Sequence, residues 1–160
     1  AAQANWRPNG GLSGAVSPHL SLPVTSMSGQ PFGPGLGFHT DLSIFSAKAR
    51  QSLGLRLSVD GFSGDVTKGG DLLSMDLLAR AAVEIDLTRR WALESWGGLG
   101  WNRSDTFGDP VHGLVVAGGV SVQRLARLRH LLLGWRVSAR WLGAASALVL
   151  QTGPVFRWQK

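Results

Sequence analysis

The 160 residues contain no cysteine, which rules out a disulfide framework and a thiolate metal site. Tyrosine is also absent, and lysine is scarce, with 13 Arg and 3 Lys making up the basic residues. The net charge is +6, yet no dense basic run or RNP-like pattern accompanies it, so nucleic acid is not an expected partner. No window offers the roughly 18 consecutive apolar residues of a membrane helix. The chain opens Ala1-Ala2-Gln3-Ala4 without a charged start and apolar core, so any signal peptide is expected to have been removed already. What the chain does hold is 22 Gly and 7 Trp, in a length that suits one domain with a buried core.

The most regular stretch is Met75 to Leu87. Every second residue from Met75 is apolar: Met75, Leu77, Ala79, Ala81, Val83, Ile85 and Leu87. The complementary positions are Asp76, Leu78, Arg80, Ala82, Glu84 and Asp86. A period of two is that of a β-strand whose faces meet different surroundings. Taken alone, the spacing of Asp76, Arg80 and Glu84 would also suit a solvated helical face.

Repetition of the alternation elsewhere favours the strand. Leu12, Val16, Leu20, Leu22 and Val24 oppose Ser13, Ser17, His19 and Ser21, with Pro18 and Pro23 predicting a bulge or frayed end. A loop over 25–37 precedes a strand from Phe38 to Phe45, and a basic turn precedes one from Leu53 to Asp60. After a loop over 61–71 comes the Met75 strand, then strands from Trp91 to Asn102, Leu114 to Gln123, Leu131 to Trp141 and Leu148 to Trp158. Eight strands in succession predict an all-β, antiparallel up-and-down meander, and closing it into a barrel removes the exposed edges. Residues 1–11 read as a tail and 12–160 as the barrel.

The polarity of the two faces predicts an inverted barrel. The apolar sets are long and carry Trp101, Trp135, Trp141 and Trp158 near strand ends, as an aromatic girdle would. The mixed sets combine small residues with charges of both signs. A lumenal network is expected from Arg56, Asp60, Asp76, Arg80, Glu84, Glu94, Arg136 and Arg140, with Asp41 and Asp86 on the same parity. An eight-strand lumen is just wide enough for side chains to fill, and charges enclosed there must pair. Arg80 is expected to meet Glu94 or Asp60. The apolar parity then faces lipid, making this a transmembrane barrel.

Charge also follows the order of the connections. Those on one side carry Lys48, Arg50, Arg89, Arg90, Arg124, Arg127 and Arg129; those on the other carry Asp65, Asp71, Asp105 and Asp109, with Lys68 and Arg103 as exceptions. Both termini belong to the basic side.

The last strand, Gln151-Thr152-Gly153-Pro154-Val155-Phe156-Arg157-Trp158, resembles the β-signal of bacterial outer-membrane barrels, with Gln151, Gly153, Phe156 and Trp158 at its defining positions. Pro154, the trailing Gln159-Lys160 and the lack of tyrosine depart from that pattern. By pattern, Leu12 to Trp158 is similar to the small OmpA/OmpX-like barrels. The resemblance implies an outer-membrane location with lipid and lipopolysaccharide around the barrel. It also implies a signal read by the barrel-assembly machinery, a periplasmic tail and both termini in the periplasm, and other envelope proteins as partners.

For function, the leading expectation is a non-enzymatic structural anchor or interaction component that needs no cofactor. It would present the loops 25–37, 61–71 and 103–110, with Phe32, Phe62 and Phe107 as large anchors. The competing enzymatic reading rests on His19 and Ser21, a pair that resembles those of outer-membrane lipid A deacylases, in which histidine would act as the base of serine. In that family the pair lies late in the chain and faces lipid; here it lies on the first strand with lumenal parity. A soluble lipocalin-like barrel is the third reading, and it requires Leu53, Leu55 and Leu57 to line a cavity. His112 and His130 lack ligand spacing, so no metal site is expected. The glycines at 97, 98, 100, 118 and 119 form no phosphate motif.

Overall fold

A computed structural model describes residues 10–27, 29, 31–46, 48–64, 70–105, 110–126 and 130–160. Eight strands follow in order: β1 (Gly11–Pro23), β2 (Gly35–Ser46), β3 (Gln51–Phe62), β4 (Leu72–Asp86), β5 (Trp91–Asp105), β6 (Val111–Leu125), β7 (Leu131–Leu142) and β8 (Ala147–Gln159). Each pairs antiparallel with the next, and β8 returns to β1 to close the barrel. Every strand has 12 to 15 residues, enough to cross a hydrocarbon core when tilted.

Several strands run past their expected ends. Gly35 to Gly37 open β2, Leu72 to Ser74 lengthen β4, Arg103 to Asp105 extend β5, and Arg124 and Leu125 extend β6. Glycine and charge punctuate a single strand read in isolation. In a closed barrel, however, the neighbouring ladder supplies partners up to the rim. Gly37 also shapes the lumen, because a Cβ there would lie 2.3 Å from Asp60 Oδ1 and 2.4 Å from His19 Nε2. Its missing side chain is the space in which those two residues meet.

The closing seam is the irregular one. Register between β1 and β8 runs from Ser13↔Gln159 to Val16↔Phe156 and resumes at Leu20↔Thr152, which sets Pro18 opposite Pro154 in the interval. Neither proline can donate to the ladder. Ser17 Oγ compensates in part by donating to the Pro154 carbonyl at 2.6 Å. The expected disturbance at Pro18 is thus confined to one seam, while pairing of β1 with β2 continues unbroken.

Polarity is inverted. Leu55, Ile85 and Val137 are 57%, 54% and 51% exposed on the outer wall, whereas Arg80 and Glu84 are 3% and 4% exposed inside. Leu53 and Leu57 are exposed on the same wall, so none of the three leucines lines a cavity as a lipocalin-like barrel would require. The alternation in the sequence sorts the two sets onto opposite faces, because a shift of one residue would exchange them along a whole strand.

The lumen is apolar at the end away from the termini. Met27, from the β1–β2 connection, is fully buried with Phe62, Leu72, Val115, Leu142 and Ala145. That connection is held by Val24 N–H donating to the Leu148 carbonyl at 2.8 Å and Leu148 N–H donating to Thr25 Oγ1 at 3.0 Å. Phe62, expected as a loop anchor, is therefore a plug residue, drawn in because it ends β3 on the lumenal parity. Phe32 packs partly buried against the plug. The expectations for the tail at residues 1–9, and for Asp65, Lys68, Phe107, Asp109, Arg127 and Arg129, lie outside the described residues.

Candidate functional site

The site is the polar part of the lumen. Among the described residues five carboxylates are buried there, Asp41, Asp60, Asp76, Glu84 and Glu94, and five guanidiniums, Arg56, Arg80, Arg136, Arg140 and Arg157. With neutral histidines this balances to zero, so the buried network adds nothing to the net +6 of the chain. The balance follows from solvation: an enclosed charge without a partner costs several kcal/mol.

The partners come from opposite walls. All five carboxylates sit on β2 to β5, while Arg136, Arg140 and Arg157 reach across from β7 and β8. Asp41 receives Arg56 in bidentate fashion, with Nε at 2.5 Å and Nη2 at 2.8 Å, and Arg136 Nη1 at 3.2 Å. Glu94 accepts from Arg136 Nη2 at 3.3 Å, forms an ion pair with Arg80 Nη2 at 2.6 Å, and also pairs with Arg157. Arg140 joins Asp60, at 2.6 Å, to Asp76. Trp96 lies among three of these cations, with the Arg56 guanidinium 3.7 Å from its ring centroid. The negative face of the indole supplements the carboxylates there.

Arg80 thus meets Glu94, one of its two expected partners. It does not pair with Asp60, which Arg140 occupies; its second neighbour is Asp41, at 3.8 Å. Asp86 is not in the network, because it ends β4 at the rim and pairs with Arg50 at 2.5 Å.

Sequence reasoning left Arg157 out, treating it as an unspecified position in the terminal signal. Its role is visible only from register. Glu84 and Glu94 stand directly opposite one another on β4 and β5, a like-charge pair that would repel. Arg157 contacts both, at 3.3 Å from Glu84 Oε2 and within bonding reach of Glu94 Oε2. The one available signal was its lumenal parity on the last strand.

His19 and Ser21 do converge, but on a carboxylate. His19 Nε2 is 2.7 Å from Asp60 Oδ1, and Ser21 Oγ donates to that same oxygen. Gln151 Nε2 contacts His19 Nε2 at 2.7 Å and Asp60 Oδ1 at 3.3 Å. A serine whose proton is committed to a carboxylate is not presented to histidine as a nucleophile. Beside this cluster, His39 Nε2 lies 2.6 Å from Arg136 Nη1; since a guanidinium can only donate, the ring nitrogen accepts.

On the outer wall, Trp101 and Trp141 are exposed toward the plugged end, and Trp158 lies near the end that carries the termini. Trp135 is farther along its strand and donates through Nε1 to Thr152 Oγ1 at 2.8 Å. Trp91, absent from the expected set, is also exposed on the terminus side, where β5 begins. On β8, Gln151 and Gly153 face inward while Phe156 and Trp158 face outward. Gly153 is required by close approach, because a Cβ there would lie 2.2 Å from the Pro18 carbonyl oxygen. Gly153→Ala is expected to overpack the closing seam by about 1–3 kcal/mol and to lower the folded fraction on unheated electrophoresis. An unchanged folded fraction would show that the seam opens to admit a methyl group.

A closed antiparallel barrel of eight strands, leucine-rich outside and ion-paired within, has the fold of the small bacterial outer-membrane barrels. Three solved structures illustrate the likeness. Neisserial surface protein A superposes with a TM-score of 0.63 at 12% identity, covering 96% of this chain and 98% of that one. The attachment invasion locus protein Ail of Yersinia pestis, solved in complex with the heparin analogue sucrose octasulfate, gives 0.57 at 12% identity, covering 94% and 100%. The outer membrane protein OprG from Pseudomonas aeruginosa gives 0.57 at 11% identity, covering 97% and 99%. No protein-family model matches the chain, and no curated protein matches it in sequence. At such identities the likeness is one of fold.

Proposed function

We propose that the chain is an integral protein of the bacterial outer membrane, a non-enzymatic barrel that serves as a structural anchor or as an interaction component of the envelope. The carrying observation is the enclosed network of five guanidiniums and five carboxylates, in which Arg136, Arg140 and Arg157 tie β7 and β8 to β2–β5. A lumen spent on cross-struts and closed by an apolar plug among the described residues argues against a substrate cavity or a water path. The termini and basic turns lie in the periplasm, and the opposite rim, where Pro23, Phe62, Asp105 and Leu142 end their strands, faces outward from the cell. Gln151, Gly153, Phe156 and Trp158 serve as the assembly signal, and lipid and lipopolysaccharide surround the girdle of Trp101, Trp135, Trp141 and Trp158.

The expected result is that the protein partitions with outer membranes on a density gradient, needs detergent to leave them, and shows no conductance steps in a planar bilayer. Its expression leaves the lipid A mass unchanged, with or without His19→Ala. Steady conductance would contradict the filled lumen. A mass shift lost in the His19 variant would reinstate the enzymatic reading.

A further inference from the structure

We propose that the cleft between the β4–β5 turn and the end of β6, on the terminus-side rim, binds the phosphate of an anionic membrane lipid. The cleft has a volume of about 790 Å³ and is lined by Arg90, Arg124, Leu125, Ala126 and Leu133. That volume is within the range of small-molecule sites.

The two arginines are mounted on paired backbone. Arg90 donates its N–H to Thr88 Oγ1 at 3.3 Å, and its carbonyl accepts from Leu125 N–H at 2.9 Å. Arg124 stands opposite Trp91 on one side and Leu133 on the other, and its guanidinium lies 5.5 Å from the Trp91 ring centroid. Trp91 and Leu133 are exposed on the outer wall and flank Arg124 at the same level. The cleft therefore sets two guanidiniums beside the apolar side chains of Leu125, Ala126 and Leu133, with Trp91 at its edge, a pairing that suits a phospholipid's phosphate and the chain next to it.

Charge balance separates these two arginines from the rim arginines Arg50 and Arg103. Arg50 is neutralised by Asp86 at 2.5 Å, and Arg103 by Asp105 at 3.1 Å. No carboxylate pairs with Arg90 or Arg124 among the described residues. Guanidinium forks match phosphate oxygens bidentately, which an ammonium cannot do. Free phosphate shares that chemistry, but it has no use for Trp91 and Leu133. The rim position, where headgroups would lie, favours the lipid.

This inference rests on the membrane reading above, and the test keeps the two apart. The full chain, folded in dodecyl maltoside, is titrated with phosphatidylglycerol and bound lipid is counted by native mass spectrometry. Arg90→Gln with Arg124→Gln is expected to weaken retention about 30-fold, from roughly fivefold per surface arginine. Arg103→Gln, on the opposite rim, should leave retention unchanged, as should an excess of inorganic phosphate, and diacylglycerol should not be retained. Undiminished retention in the double variant, an equal loss in the Arg103 variant, or displacement by inorganic phosphate would each overturn the lipid site. Failure of the membrane reading has a separate mark: a chain that stays monomeric in buffer without detergent.

Discussion

Replacing Arg80 with methionine is expected to lower the unfolding free energy by about 3–5 kcal/mol, the usual cost of removing one member of a buried ion pair. Methionine keeps much of the apolar stem, so the loss reports charge more than packing. Arg80 is 3% exposed and holds Glu94 at 2.6 Å, with Asp41 at 3.8 Å. Its removal leaves five carboxylates facing four guanidiniums in a space closed to solvent. The double variant Arg80→Met with Glu94→Gln restores four against four. It is expected to lose less than the sum of the single variants, with a coupling of about 0.5–3 kcal/mol. Equilibrium unfolding by urea in lipid vesicles measures all three. An Arg80 variant with an unchanged midpoint would mean that the network is not enclosed.

The second large effect concerns the opposite face. Leu99 sits at the middle of β5, 63% exposed, between Ala79 and Val116. Leu99→Arg is expected to cost about 2–4 kcal/mol in a bilayer, whereas Leu87→Arg, just beyond β4 at the rim, should cost about 0–1 kcal/mol. Depth decides the difference, because a guanidinium at the midplane has no water within reach and one at the rim does. A soluble protein would tolerate both, since an exposed leucine in water gains little from staying apolar. Equal and negligible costs for the two variants would remove lipid from the outer wall.

How much of this was legible beforehand depends on how far apart the interacting residues lie. The faces were legible, because alternation is local: Met75 to Leu87 places Asp76, Arg80 and Glu84 together whatever the rest of the chain does. Arg136 and Arg140 were likewise assigned inward from their own strand. Pairing was not legible to the same degree. Arg136 meets Asp41 across 95 positions and Arg157 meets Glu94 across 63, distances over which sequence spacing carries no register. Arg157 lay unnoticed for that reason, and Asp60 was offered to Arg80 when Arg140 holds it. Met27 illustrates a second gap, because nothing local marks a loop residue that folds back into the mouth of a barrel; Phe62 had the lumenal parity of β3 but lay beyond the strand's expected end at Asp60.

By itself the sequence determined the number of strands, their order and the sorting of side chains to two faces. Each of these follows from a period of two between turn signals, and a shift of one residue would exchange the faces along a whole strand. The tertiary structure alone decided which charges neutralise which, where the lumen is plugged, and that Pro18 and Pro154 share the closing seam. Those outcomes depend on the stagger at which β8 returns to β1, which sets the height of every lumenal residue against the far wall. A closed sheet chooses that stagger as one body, by satisfying all its ladders and all its buried charges at once.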